Sequence, residues 1–342
     1  MKNHRTAQES GRTKYLDFPK VELHLHLDCS LSYAVVNELK GGISLEEYQS
    51  KFVAPDKCLD LADYIRRTES GCALMQTASN LKKVTRDLLD QLKEDHIVYA
   101  EIRFAPLLHT AGGLSSQDVV RAILQELNNS KESHGVHTGL ILCTLRHFTE
   151  EESLETADLV REFYGQGVVA LDLAADEANF PIDNHIKAFE RINSLGIPAT
   201  AHAGEAKGWE SVQETLKLLK PKRIGHGVRS IENKELVREL IDKNIHLEIC
   251  PTSNIQVDVF DTIGQHPVDE LFRKGISVGI NTDGRAVSGI SLSEEYFKVE
   301  KAFGWGYEEF KKCNLDSIRH SFASEVIKSK ITKELILHYE NY

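Results

Sequence analysis

Eight short apolar runs, each followed by an amphipathic segment, constrain the fold of this chain more than any other sequence feature. They begin at Lys20, Ile97, Thr138, Gly167, Ile197, Lys222, Asn244 and Ile276. Strands that alternate with helices form parallel sheets, because a parallel pair needs a crossover connection. At 342 residues, the pattern predicts an α/β fold, a (β/α)8 TIM barrel. A doubly wound open sheet is the alternative, but no GxGxxG motif follows the first run.

The chain divides into a short tail and one domain. Residues 1–15 are polar and aperiodic, which predicts a flexible N-terminal tail. Residues 16–342 are expected to form a single barrel domain, with extra helices between strands 1 and 2 and at the C-terminus. In the first insertion, Leu61, Tyr64 and Ile65 have the spacing i, i+3, i+4 of one helix face. We expect this helix to form a wall or lid over the barrel mouth; an ordinary peripheral helix is the alternative.

Charge and cysteine content exclude several classes of partner. The chain carries 41 Lys and Arg against 52 Asp and Glu, a net charge of −11. A nucleic-acid-binding protein normally has a basic face, so nucleic acid is not an expected partner, whereas a small neutral ligand is compatible. No apolar stretch has the length of a membrane span or a signal peptide, and the six cysteines form no CxxC pair. We therefore expect a cytoplasmic protein without membrane contacts; the oligomeric state is not indicated.

The first strand carries two histidines, His24 and His26, in the motif HLHLD. Residues i and i+2 of a strand point to the same face, so both imidazoles are expected to project into the barrel. Two buried imidazoles are costly unless a partner binds them, and a divalent metal is a common solution. An HxH pair alone is also found by chance.

Further polar side chains end other strands of the predicted barrel. His202 and Glu205 end the fifth, His226 the sixth and Asp283 the eighth. Barrel active sites lie at this end of the strands, although each residue alone could be a core histidine or a turn carboxylate. Three imidazoles and a carboxylate suit zinc and leave one position for water. The fourth strand has no bridging lysine, which favours one metal ion, and the HxE and PCxxC signature of the cysteine-based zinc deaminases is missing.

The ordered motifs PKVELHLHLD, YAEIRFAP, DLAADE, HAGE, IGHG and NTDG resemble those of the adenosine deaminase family over nearly the whole chain after the tail. This resemblance implies zinc-dependent hydrolytic deamination of adenosine and 2′-deoxyadenosine to inosine products and ammonia, in purine salvage. It implies one zinc ion per chain, held by the ligands His24, His26, His202 and Asp283.

The resemblance also implies a role for each remaining site residue. Glu205 would protonate purine N1 while hydroxide attacks C6, and His226 would orient the attacking water and act as base, with Asp283 as an alternative base. His26, Asp28 and Ala175 would contact the substrate. In that reading Asp28 accepts a hydrogen bond from the ribose 5′-hydroxyl and repels a 5′-phosphate; capping of a turn is its structural alternative.

Three positions depart from the family motifs. Cys29 replaces the glycine of HLDG, Ala175 replaces the glycine of DLAGDE, and Gly284 replaces the second aspartate of NTDD. The resemblance assigns that aspartate to purine N7, so a water or Arg285 would have to replace it. The alternatives are therefore a deaminase of another aminated purine or pterin, such as adenine or an aminofutalosine-type nucleoside, a catalytically inactive nucleoside-binding protein, and a purely structural metal protein.

Overall fold

The computed structural model describes residues 13–340, without the side chains of residues 130–133. Its strands lie where the apolar runs predict them: β1 Lys20–His26, β2 Ile97–Phe104, β3 His137–Leu145, β4 Val168–Ala174, β5 Thr200–Ala203, β6 Arg223–His226, β7 His246–Ile249 and β8 Ser277–Ile280. Sequential strands pair in parallel, in the orders β1-β2-β3-β4 and β5-β6-β7-β8.

Backbone bridges join these two sheets into one closed barrel. On one side, Leu171 of β4 bridges to Ala199, just before β5. On the other, Leu25 of β1 bridges to Asp283, just after β8. There the His26 amide donates to the Asp283 carbonyl (2.7 Å) and the Asp283 amide donates to the His24 carbonyl (3.1 Å). The predicted (β/α)8 barrel is confirmed, and the open sheet is excluded.

Fourteen α-helices surround the barrel in the described residues. Four lie between β1 and β2, and three follow β8, as the sequence predicts. They are α1 Tyr33–Lys40, α2 Leu45–Phe52, α3 Leu61–Leu74, α4 Ala78–Glu94, α5 Ser116–His134, α6 Glu150–Phe163, α7 Ile186–Ser194, α8 Trp209–Leu218, α9 Lys234–Asp242, α10 Pro251–Gln256, α11 Val268–Arg273, α12 Leu292–Phe303, α13 Tyr307–His320 and α14 Glu325–Tyr339.

The main core lies between the barrel and its helices, and it includes the end of the predicted tail. Residues 1–12 of that tail lie outside the described residues. Tyr15, by contrast, is fully buried, and its ring lies edge-on against Tyr296 and Phe310 at centroid distances of 5.8 and 5.1 Å. Each such aromatic pair stabilises the fold by about 1 kcal/mol beyond the contribution of burial itself. Tyr15, the last residue of the predicted tail, is therefore packed against the domain.

The remaining observations concern membrane and redox properties. No helix in residues 13–340 is both long and apolar enough to cross a bilayer. All six cysteines are buried and unpaired.

Candidate active site

Five polar side chains converge at the carboxyl ends of the strands. The ligand atoms of His24, His202, His226 and Asp283 all lie within 4.8 Å of one another. His26 completes the cluster: its Nε2 is 3.2 Å from Nε2 of His202 and 3.5 Å from Oδ1 of Asp283. The structure thus brings together all four predicted metal ligands and the predicted base.

The hydrogen bonds of His24 show that this cluster fits a cation. Its Nδ1 donates to Oε2 of Glu248 (2.9 Å), so the neutral ring has its lone pair on Nε2. That buried Nε2 has no hydrogen-bond partner and lies 3.2 Å from Oδ1 of Asp283. A lone pair directed at a carboxylate is unfavourable unless a proton or a metal cation lies between them. A mixed imidazole and carboxylate set suits zinc.

Behind the ligands lies a buried charge network that the sequence analysis did not identify. Asp172 accepts from Nδ1 of His202 (3.2 Å), just as Glu248 accepts from His24. Arg103 links both carboxylates, donating to Asp172 (3.0 Å) and Glu248 (2.7 Å). Burial alone would raise the pKa of Asp172, but His202 and Arg103 outweigh it and hold that pKa well below its usual range. These anions fix the ring orientation and tautomer of both histidines.

The motif NTDG positions the first strand as well as supplying a ligand. The side-chain oxygen of Asn281 accepts from the amides of Leu23 and His24, at 2.7 and 3.1 Å. The register of β1 against β2 is irregular at this point. Asn281 therefore satisfies amides that the irregular ladder leaves unpaired, and it holds the strand segment that carries His24.

Glu205 and His226 share one partner, Asn254. The amide nitrogen of Asn254 donates to Oε1 of Glu205 (3.2 Å) and lies 3.1 Å from Nδ1 of His226. Burial, and then the charges of Asp283 and Glu177, raise the pKa of Glu205 well above its usual value. A carboxylic acid that keeps its proton near neutral pH can donate it to a ligand.

Glu177 holds the loop that carries Glu205. Its carboxylate accepts from four consecutive backbone amides, those of residues 204–207, at 2.7–3.0 Å. It also accepts from the Ser211 hydroxyl. This explains the acidic end of DLAADE, which received no role in the sequence analysis. Glu177 follows β4 and Asn254 follows β7. Both could have been identified as polar residues at strand ends, as on the other strands, although their contact partners could not.

A cavity of 480 Å³ opens in front of the cluster. The predicted lid residues Leu61, Tyr64 and Ile65 lie on α3 and line it, as do Asp28 and Ala175. A Cβ on Gly71 of α3 would lie 2.7 Å from the Asp28 carbonyl oxygen. The small residue therefore lets α3 approach the end of β1 and close one side of the cavity.

Asp28 follows β1 and lines the cavity, with its carboxylate within 4.8 Å of a ring nitrogen of His26. Burial raises its pKa to about 6. Nε2 of the fully buried His109 is 3.9 Å from Oδ2 of Asp28, and neither ring nitrogen of His109 has a hydrogen-bond partner. An acid placed here suits a hydroxyl-bearing ligand, which can donate to it.

Three site residues have left-handed backbone conformations that L-residues rarely adopt. They are Ala175, His226 and Asp283, with φ of 76°, 58° and 65°. Such conformations cost on the order of 1–2 kcal/mol each and concentrate at functional sites. The replacement of glycine by Ala175 therefore carries backbone strain, which the motif comparison did not reveal.

Arg285 cannot replace a lost contact to the base, contrary to one sequence expectation. Its guanidinium donates to Glu22 (2.7 Å) and Asp95 (3.0 Å), and the side chain is buried in these ion pairs. Moving it into the cavity would leave two buried carboxylates without their cation, which is strongly unfavourable.

The barrel mouth therefore has the layout of a metal-dependent hydrolase: a ligand set that needs a cation, a buried acid beside it and a closed cavity. A family model described as adenosine deaminase matches residues 19–338. An adenosine deaminase of Clostridium acetobutylicum is 37% identical over 331 residues, 95% of this chain and 99% of that protein. One of Enterococcus faecalis is 34% identical, covering 96% and 98%.

A solved structure agrees with these sequence relatives. The crystal structure of an adenine deaminase from Arthrobacter aurescens superposes with a TM-score of 0.86 at 27% identity, covering 94% of this chain and 99% of that one. The chain belongs to the adenosine deaminase family, and it is a hydrolytic deaminase.

Proposed function

We propose that this chain catalyses the zinc-dependent hydrolytic deamination of adenosine and 2′-deoxyadenosine, in purine salvage. The observation that carries the proposal is the convergence of the imidazole and carboxylate cluster with the buried acid Glu205 in one 480 Å³ cavity. That volume lies within the range of small-molecule sites. The relatives named adenosine deaminase support the same reaction.

His24, His26, His202 and Asp283 would hold one zinc ion per chain. Zinc bound there supplies a hydroxide nucleophile near neutral pH. His24 and His202 keep their orientation because each donates its Nδ1 proton to a buried carboxylate. His26 receives no such carboxylate in the described residues, so it is the ligand with the most rotational freedom.

Glu205 and His226 carry the protons in the proposed reaction. Attack at C6 of the purine builds negative charge on N1, and Glu205, kept in its acid form by burial, donates its proton to that nitrogen. His226 takes the proton that the attacking water loses. Asn254 contacts both side chains and so keeps donor and acceptor in a fixed relation. The proton held by His226 then passes to the amino group, the C6–N bond breaks and ammonia leaves. The C6 hydroxyl becomes the carbonyl, and its proton restores the acid form of Glu205.

The substrate half of the proposal depends on Asp28. A buried carboxyl at the end of the cavity accepts a hydrogen bond from the ribose 5′-hydroxyl and disfavours a second negative charge. A nucleoside is therefore preferred to a nucleotide. We further propose that residues 16–342 act as one catalytic domain and that the protein is cytoplasmic, which its six unpaired cysteines support.

The proposal is tested by ammonia release from adenosine, 2′-deoxyadenosine, adenine and AMP, offered in parallel to protein of known metal content. We expect fast turnover of both nucleosides, little turnover of adenine and AMP, and loss of activity after chelation. Preference for adenine would move the assignment to a free-base deaminase such as the Arthrobacter relative. No turnover by zinc-loaded protein would exclude all four substrates.

Glu205→Gln isolates the proton-donating role. The amide keeps the shape and the Asn254 contact but cannot protonate N1, so kcat should fall by about 10²–10⁴-fold with metal content unchanged. Glu69→Gln is the matched control, because Glu69 lines the same cavity from α3 but lies outside the metal cluster. A Glu205→Gln enzyme that retains a third of its activity would refute the role.

A further inference from the structure

Two of the three departures from the family motifs, Cys29 and Gly284, lie against each other beside Asp283. A Cβ atom added to Gly284 would come closer to the Cβ of Cys29 than real Cβ atoms approach, and would lie 3.0 Å from the Cys29 carbonyl oxygen. Gly284 does not have a left-handed backbone. Lack of space, rather than backbone conformation, therefore requires glycine at position 284.

Neither backbone is free to move away. The Cys29 carbonyl accepts from the amides of Ala286 and Val287, both at 3.0 Å, and the Gly284 carbonyl accepts from the Ser288 amide at 2.8 Å. Shifting the loop by the distance a side chain needs would break these bonds in a buried region, at about 1–3 kcal/mol for each group left unpaired.

Cys29, which lies against Gly284, faces the cavity on the side opposite the proposed catalytic acid. Cys29 lines the cavity and donates weakly to Oδ1 of Asp28 (3.7 Å). Cys29 and Gly284 follow the adjacent strands β1 and β8, whereas Glu205 follows β5, across the barrel. In a purine, N1 and N7 lie on opposite sides of C6. If N1 faces Glu205, N7 therefore faces the wall formed by Cys29 and Gly284.

We propose that Cys29 and Gly284 are a mutually exclusive pair that determines base specificity. Cys29 fills the space that a carboxyl side chain at 284 would need, so the wall facing N7 is a neutral thiol and bare backbone. The base is then recognised on its N1 side, and bases with carbon in place of N7 are accepted. This inference rests on the proposed function. Burial keeps the thiol neutral by raising its pKa well above the usual value.

The packing half is tested by a double-mutant cycle on thermal stability. Gly284→Ala adds only the clashing Cβ, and we expect Tm to fall by roughly 2–8 °C. In Cys29→Gly/Gly284→Ala most of the loss caused by Gly284→Ala should disappear, because the opposing Cβ is gone. Gly264→Ala is the matched control, since its Cβ would meet only Oγ1 of Thr262 at 3.9 Å. Strictly additive changes in Tm would overturn the pairing.

The specificity half is tested by binding of 7-deazaadenosine and adenosine in a Glu205→Gln background, where turnover should be slowed by about 10²–10⁴-fold and binding is measured before the substrate is converted. Without further changes, we expect the two Kd values to agree within about twofold, a difference smaller than a hydrogen bond contributes. Adding Cys29→Gly/Gly284→Asp should widen their ratio by roughly tenfold, because a protonated carboxyl group at position 284 can then donate a hydrogen bond to N7. An unchanged ratio would overturn the inference while leaving the proposed function intact. Absence of adenosine binding would instead count against the proposed function, and the Tm cycle would still report on the pair.

Discussion

At the scale of single residues, the site separates the proposed metal ligands from the side chains proposed to transfer protons or to bind the ribose. His24 donates to a buried carboxylate, Glu205 accepts from the neutral amide of Asn254, and Asp28 lies beside the buried ring of His109. The same chemical group, a buried carboxyl, therefore has different pKa values at different positions. Burial raises the pKa of Asp28 to about 6, whereas the imidazoles around Asp283 outweigh burial and hold its pKa well below the usual range.

Asp28→Ala is expected to affect nucleosides more than free bases. It removes the proposed acceptor of the 5′-hydroxyl, so kcat/KM for adenosine should fall by about 10- to 100-fold, the value of one hydrogen bond to a charged group. The value for adenine, which has no ribose, should change little. Steady-state kinetics with both substrates measures the difference, and equal losses on both would assign Asp28 to a structural role.

The sequence could place the proposed ligands and acid at one end of the barrel because each ends an apolar run, where position along the strand determines direction. It could not predict Asn254 or Arg103 as partners, since their roles come from contacts between strands that are distant in the chain. Nor could it show that Cys29 and Gly284 touch. Arg285 was wrongly considered for the base contact because proximity in sequence says nothing about the buried carboxylates that hold it.

At the scale of elements, the strands are tied together through charge as well as through their ladders. Arg103 of β2 joins Asp172 of β4 to Glu248 of β7, and Arg223 of β6 also donates to Glu248, at 2.6 Å. All four side chains are fully buried. Because the two carboxylates also orient proposed metal ligands, a change in this network should alter the affinity for the metal.

Arg103→Lys tests this link between strands. Lysine keeps the charge but cannot bridge two carboxylates with a rigid planar group, so zinc affinity should fall by about 10- to 100-fold. Competition with a chromophoric chelator measures the affinity. Arg223→Lys is the matched control, since Arg223 contacts Oε1 of Glu248 rather than the Oε2 that holds His24. Equal losses in both variants would show that general destabilisation, not ligand orientation, is responsible.

A second element-scale prediction concerns Glu295 of α12. Burial raises its pKa to about 7 from 4.5, and its Oε2 has no hydrogen-bond partner. Below pH 4.5 the Glu295 carboxyl is protonated in both the folded and the unfolded state. As the pH rises from there towards 7, the unfolded state ionises while the folded state keeps its proton, so stability is lost across this window.

Glu295→Gln removes this titration. The variant should gain about 1–3 kcal/mol in free energy of unfolding at pH 8 relative to the wild-type protein, and much less near pH 5. Urea unfolding at both pH values measures the gain. Glu308→Gln, on the exposed side of α13, is the control and should change neither value. A gain that is the same at both pH values would mean that shape, not charge, is responsible.

At the scale of the whole molecule, the barrel brings residues from both ends of the chain to one cavity. His24 and Asp283 are far apart in sequence, yet they meet because β1 and β8 close the barrel. The insertion between β1 and β2 then covers the mouth with α3. The fold therefore brings the proposed metal ligands together, and the insertion forms one wall of the cavity in front of them.

The most direct test of this account is a zinc titration of metal-free protein, with adenosine turnover and bound metal measured in the same samples. The account predicts no turnover without metal, a linear rise on adding zinc and a plateau at about one equivalent per chain. His24→Ala should abolish the rise. Full turnover by protein from which the metal has been removed, or a plateau reached without zinc binding to this cluster, would contradict it.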